Sequence, residues 1–398
     1  MPLFQEGDKM INLINDAVSE ELANTIKYRR YIHQHPCLSF CEEETRDYLC
    51  SELSKAGIAY RKCGQNGIVA KIKGADSSRC IAFRADFDAL PIQEPEGLEY
   101  RSVNPGVMHA CGHDFHASAL LSFARVLKQH PEWLKCDAEF IFQYAEELPP
   151  GGAKPMIEDG CLAGVTKIYG FHVSEEIPAG TVGVRRGKYM AASDGFFIDF
   201  TGEGGHGSRP SEAMDTVSAA ATAITQINAV ISRFVSPLHD AVISVCKIHG
   251  GETYNIIPER VRIEGTVRTY EPETAENIFG KIREIAEHSA NIYGANANVD
   301  VAYGYPAVVN HDSGVDTVIS AAKQLALPVI DIPPTPVGED FARYLQVVPG
   351  AFFRIGIRNP QLGAVYPLHN KMFRLDESAL NAALKLYLGI YMKETNQL

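Results

Sequence analysis

No stretch of this 398-residue sequence approaches the ~20 consecutive apolar residues that a bilayer-spanning helix needs, so no membrane partner is expected. A basic surplus is missing too. Lys and Arg total 37 against 49 Asp and Glu, a formal net charge of -12, and this argues against nucleic acid, whose phosphates need clustered cations. The opening residues MPLFQEGDKMINLIND lack the basic segment and apolar core of a secretory leader. The nine cysteines are odd in number and scattered from Cys37 to Cys246, which is no disulfide framework. These absences together predict a cytoplasmic protein with reduced thiols. Internal repeats and low-complexity segments are lacking, and the one proline-rich patch is Ile332–Pro336. What remains is an ordinary globular composition, 45% hydrophobic and 22% charged, in a chain long enough for two domains.

Apolar periodicity predicts helices over residues 12–36, 42–56, 116–130 and 153–158, with strands over 67–72, 80–85, 138–144 and 167–171. Strands alternating with helices imply an α/β sheet. Asp86, Glu146, Glu147 and His172 each fall just past the C-terminal end of such a strand, the edge where open α/β sheets bind ligands. From about Met190 the pattern changes. Strands over 196–200, 241–248, 260–267 and 298–303 and helices over 216–231 and 272–292 read β-α-β-β-α-β, the ferredoxin-like plan. The expected organisation is a catalytic domain in two parts, 1–189 and 304–398, with a ferredoxin-like α+β domain inserted at 190–303.

The densest chemistry lies in Met108–His116, where nine residues hold a thiol, three imidazoles and a carboxylate. Cys111 and His113 can reach one cation from a tight turn, with Gly112 permitting the bend. Histidines in one loop can equally form a polar helix start, and His33 and His35 near a helix end read more simply as dipole or packing residues. Glu147, His172 and His369 complete a set with Cys111 and His113: one thiolate, three imidazoles and a carboxylate, enough for two borderline-soft divalent ions with the thiolate bridging. Such a pair activates water and polarises a carbonyl. Hydrolysis then needs a base, and with Glu147 on metal, Glu146 is placed to supply it.

These residues stand in segments that resemble the M20 metallopeptidase/amidohydrolase family, in its aminoacylase-like branch of hippurate, indole-acetyl-amino-acid and N-acetyl-diaminopimelate hydrolases. The segments are Arg84–Pro91, Asn104–Asp114, Ala145–Glu147, Gly205–Gly207, Asn255–Pro258, Glu339–Phe341 and Pro367–His369. The resemblance implies a zinc-peptidase-like catalytic domain holding two divalent ions (Zn, Mn, Co or Ni) on Cys111, His113, Glu147, His172 and His369. It also implies Glu146 as general base, and an inserted lid that forms a homodimer or dimer-based tetramer. The expected substrates are N-acyl-L-amino acids, and the alternative is a dipeptidase or carboxypeptidase on the same scaffold. In the lid, the resemblance makes His206 an oxyanion partner for a neighbouring subunit and gives Asn255 and Arg268 the substrate carboxylate. The segment GEGGHGSRP lacks the Gly-Lys-Ser/Thr ending of a phosphate loop.

Two departures stand out. The wider family has His-x-Asp where this chain has Asp86-x-Asp88, so Asp86 and Asp88, with Asp114, are expected to support the ligands rather than bind metal. Cys37 replaces the glutamate of the family's His-Pro-Glu-Leu motif. A metal-free binding protein on this fold would lack a ligand or Glu146, and all are present.

Overall fold

The computed structural model describes residues 2–398, with side chains from Lys9 onward. The chain forms two compact units. One holds the residues up to Gly187 together with Val309–Pro333 and Asp340–Leu398; the other holds Lys188–Val308 and Pro334–Glu339.

The first unit is built on an eight-stranded sheet. Its order is Ala59–Cys63, Gly67–Ile72, Cys136–Gln143, Asp76–Asp86, Lys167–Pro178, Gly350–Arg358, Val182–Val184 and Val329–Asp331. The four central strands of that list, from Cys136–Gln143 to Gly350–Arg358, run parallel. All of Cys136–Gln143 is buried, as befits a strand covered on both faces. Phe83 of one strand packs edge-on at 4.7 Å against Phe123 of helix His113–Gln129, and Phe123 stacks at 5.4 Å on Tyr387 of helix Ala379–Glu394. Each fully buried aromatic of this kind contributes roughly 1.5–3 kcal/mol.

Several elements differ from the sequence reading. The expected strand 167–171 runs on to Pro178, so His172 lies inside a strand and not past its end. The parallel neighbour Gly350–Arg358 causes this, since Phe353, Arg354 and Ile355 pair with Phe171, His172 and Val173 and continue the ladder. Helix His113–Gln129 begins inside the Cys-Gly-His-Asp motif, and its buried residues include Ser118 and Ser122 as well as the apolar face. Ser122 Oγ accepts the Thr25 hydroxyl at 2.8 Å, which lets a polar residue sit between helices. The first helix spans Pro2–Gln34. Strand Ala59–Cys63 went unforeseen because four of its five residues are exposed and offer no apolar run.

The second unit carries a four-stranded antiparallel sheet ordered Ala241–Gly250, Arg260–Thr269, Ala192–Thr201, Asn296–Ala302. That is the ferredoxin-like arrangement. Phe196, Ile198 and Phe200 alternate along one strand and join Ala219, Ile278 and Phe279 of the helices in one buried cluster. The expected helix 216–231 is broken into Thr216–Ile227 and Val230–Phe234. No helix among the described residues is long and apolar enough to cross a membrane.

Candidate active site

Arg84 pairs with Gly170 across two parallel strands, so Asp86 and His172, each two residues further on, reach the same level of the sheet. Glu146 and Glu147 follow the neighbouring strand Cys136–Gln143. Helix His113–Gln129 starts beside them. Gly112 caps that helix at φ 88, and a Cβ there would meet Val173 Cγ2 at 2.5 Å, so both the turn and the close approach need glycine.

The result is a cluster of donor atoms. Cys111 Sγ lies 3.3 Å from His172 Nε2. Donors of Cys111, His113 and His172 all lie within 4.8 Å of one another, and so do those of Cys111, Glu147 and His369. The two triads share Cys111. His369 comes from a distant loop and holds φ 63, with its N–H donating to Ala110 O at 2.8 Å. Its Nε2 lies 3.2 Å from Glu147 Oε1, close enough for an ion pair. Glu147 raises the His369 pKa above the ordinary imidazole value.

The ring orientations are set from behind. His172 Nδ1–H donates to Val173 O at 2.8 Å, and His113 Nδ1–H is directed at Asp88, 3.0 Å from Oδ1 and 3.1 Å from the backbone O. Each ring therefore turns its Nε2 toward the cluster. Asp88 is wholly within the protein and does a second job, since its Oδ2 accepts Glu147 N–H at 3.0 Å and the Ser39 hydroxyl at 2.7 Å. One carboxylate thus positions both an imidazole and a carboxylate of the cluster.

Electrostatics fit a cation here. His113 Nε2 is buried without a hydrogen-bond partner, facing Glu147 Oε1 at 3.8 Å and Glu146 Oε2 at 4.0 Å. Burial and the adjacent Glu147 and Glu146 carboxylates push the Cys111 thiol well above its ordinary value. Burial opposes charge on His113, but Asp86, Asp88 and Glu147 outweigh it and hold its pKa up to about 10. Protons and a divalent ion compete for these donors, so metal uptake releases protons. A thiolate, imidazoles and carboxylates converging in a buried site suit a borderline-soft ion.

Asp86 and Asp114 stand behind the cluster. Asp86 Oδ1 accepts His116 Nδ1–H at 2.6 Å, and its Oδ2 accepts Arg84 Nη1–H at 2.6 Å. His116 was not singled out from sequence as a site residue, yet both its nitrogens are committed: Nε2 accepts Val173 N–H at 3.0 Å. It braces the strand segment that carries His172. The readable signal was its helical spacing, three residues after His113. Asp114 pairs with Arg29 at 2.7 Å and His33 at 2.9 Å, tying the helix start to helix Pro2–Gln34. Burial opposes its ionisation, but Arg29 and His33 hold the carboxyl far below the usual range. His35 is half-buried and its Nδ1–H donates to Tyr31 O at 2.8 Å.

His206, Asn255 and Arg268 belong to the second unit. His206 and Ile256 pair in a short two-stranded ladder, and Gly207 N–H donates to Asn255 O at 2.8 Å, so His206 and Asn255 are neighbours. His206 is exposed, and its Nδ1 accepts Ser208 N–H at 3.1 Å, which leaves Nε2 as the protonated nitrogen. Asn255 Oδ1 accepts the Thr253 hydroxyl at 2.9 Å. Arg268 is half-buried on strand Arg260–Thr269, donating to Val267 O at 3.0 Å and bonded to Thr266.

Because Asp88 holds two cluster residues, Asp88→Asn should lower metal affinity about 10–100-fold, as loss of a ligand's hydrogen-bond partner does elsewhere. Competition with a chelating dye checks this, and parental affinity would reduce Asp88 to a packing group.

Residues 82–393 match the family model described as peptidase family M20/M25/M40. The chain is 39% identical over 356 residues to an N-acetyl-L-cysteine deacetylase of Bacillus subtilis, covering 89% of this chain and 84% of that protein. It is 37% identical over 302 residues to an N-acyl-L-amino acid amidohydrolase of Geobacillus stearothermophilus, covering 76% of this chain and 82% of the relative. A solved Bacillus subtilis structure, YxeP, described as a dinuclear metal binding peptidase from the M20 family, superposes with a TM-score of 0.84. It is 34% identical and covers 96% of this chain and 100% of that one.

Proposed function

This chain belongs to peptidase family M20/M25/M40, and from that we propose that it is a metal-dependent amidohydrolase. It hydrolyses the amide bond of N-acyl-L-amino acids to a carboxylate and a free amino acid. The carrying observation is the pair of donor triads sharing Cys111, set beside Glu146. Cys111, His113, Glu147, His172 and His369 hold two divalent ions (Zn, Mn, Co or Ni), whose chemistry is to polarise the scissile carbonyl and acidify the attacking water. Glu146 takes the proton from that water and returns it to the leaving nitrogen, so the amine departs neutral. Asp88, Asp86 and His116 fix the rings and the Glu147 backbone beforehand, which keeps reorganisation out of the barrier. A ninhydrin assay of the purified, metal-analysed protein on N-acetyl and N-benzoyl amino acids and on dipeptides tests this. Free amino acid from the acyl substrates is expected. Turnover of dipeptides alone would move the reading to a dipeptidase.

The first unit is then the catalytic domain and the second a lid that forms a homodimer. Support comes from the edge strand Ala241–Gly250, which exposes Val242 and Ile248 and can pair with a second copy. His206, with Nε2–H available, donates to the oxyanion in the partner's site, and Asn255 and Arg268 receive the substrate carboxylate. His206→Ala should lower kcat by about 10²–10³ with little change in substrate binding. Mixing His206→Ala with Glu146→Gln subunits should restore part of the activity, because a hybrid dimer keeps one intact site. Verified hybrids without recovery would remove the shared-site assignment.

A further inference from the structure

The backbone that presents Glu146 has a strained shape. Ala145 sits at φ 50, a left-handed conformation that a residue bearing a Cβ keeps only where neighbours impose it. Two contacts do so. Ala145 O accepts Gly152 N–H at 3.1 Å, and Gly152 cannot carry a side chain there, since a Cβ would lie 2.0 Å from Tyr144 O. Ala145 N–H donates to Glu42 Oε1 at 2.9 Å.

Glu42 is itself wholly buried. Its Oε1 also accepts Phe40 N–H at 2.8 Å, and its Oε2 accepts Asn66 Nδ2–H at 2.9 Å. Asn66 is oriented in turn, because its Oδ1 accepts Arg46 Nη1–H at 2.9 Å. Three donors therefore fix the carboxylate, and one of them is the amide just before Glu146. The amide just after Glu146 is held the same way, by Asp88 Oδ2 at 3.0 Å. Glu146 is bracketed by two buried carboxylates, of which only Asp88 also touches the cluster. Burying a carboxylate is expensive, and a neutral side chain can fill the same space. The return on Glu42 is the fixed geometry of the turn.

We propose that Glu42 is a positioning residue for the hydrolysis, which clamps Ala145 N–H and so aims the Glu146 carboxylate, without touching substrate. This rests on Glu146 acting as the base. In Glu42→Gln the side-chain amide meets a donor whichever way it turns, either Asn66 Nδ2 or the Phe40 and Ala145 amides. Adding Asn66→Asp restores the match, because the aspartate accepts from both the glutamine amide and Arg46.

The test is kinetic, on the metal-loaded enzyme with an N-acetyl amino acid. Glu42→Gln should lower kcat about 10–100-fold at nearly unchanged KM, the effect of a misaimed group, with metal content retained. The double substitution Glu42→Gln/Asn66→Asp should regain most of that loss. In a Glu146→Gln background Glu42→Gln should cost nothing more, because its effect runs through the missing carboxylate. Parental kcat in Glu42→Gln overturns the proposal. So does an equal further loss in the Glu146→Gln background, or a fall in metal content and thermal midpoint with parental kcat per loaded site. Parental kcat in Glu146→Gln alone would instead remove the base assignment, whatever Glu42→Gln does.

Discussion

Glu146→Gln should leave a folded protein with its full metal content and near-parental KM, turning over roughly 10²–10⁴ times more slowly. The amide has the same shape and accepts similar hydrogen bonds, but it cannot take a proton from the attacking water. Backbone geometry should survive the change, since the turn is held through the flanking amides of Ala145 and Glu147 rather than through the Glu146 side chain. Glu146 Oε2 stands 4.0 Å from His113 Nε2, next to the donor set without replacing any member of the two triads that share Cys111. Steady-state kinetics beside elemental analysis decide the matter. Metal lost with turnover per bound metal retained would mean that Glu146 and Glu147 have exchanged roles.

Arg84→Met should destabilise the first unit by about 3–5 kcal/mol, the usual consequence of removing one partner from a buried ionic network. Arg84 is 1% exposed and each guanidinium nitrogen is bonded: Nη1 to Asp86 at 2.6 Å, Nη2 to Asp340 at 2.8 Å and Nε to Gln143 at 2.9 Å. Methionine fills the volume but leaves the two carboxylates in the interior without the cation they share. Burial opposes ionisation of Asp86, yet Arg84, His113 and His116 hold its carboxyl well below the ordinary value. Burial pushes Asp340 up to about 6 even with Arg84 present. The sign of the pH effect follows. A depressed Asp86 contributes stability above its unfolded-state pKa, near 4, and that contribution is lost as pH falls through its folded value. Without Arg84 both carboxyls rise from their parental positions, so keeping them ionised at neutral pH costs stability and protonation relieves it. The stability gap between parent and variant should therefore be widest near pH 7 and narrow toward pH 4. Urea midpoints across that range test it, and a gap independent of pH would mean that Arg84 contributes by packing alone.

Much of the site was legible in the sequence because its chemistry is compositionally rare. A thiol, a glycine and an imidazole in three consecutive residues, and two glutamates closing an apolar strand, have few physical readings. Periods of 2 and 3.6 also separated the alternating α/β half from the ferredoxin-like half. Long-range geometry was not legible. His172 was expected past a strand end, and register with Gly350–Arg358 puts it inside one. Nothing local marks Glu42 as the partner of an amide 103 residues away, or Arg84 as the partner of Asp340 256 residues on. Ala145 and His369 adopt left-handed conformations that their own side chains disfavour, so only surrounding hydrogen bonds could select them. The sequence by itself determined the donor types, the sheet class and the candidate base, since these depend on residue chemistry and local period. The tertiary structure alone decided which carboxylate faces which ring and how the Glu146 turn is held, because sheet register and buried pairing join segments that share no local signal.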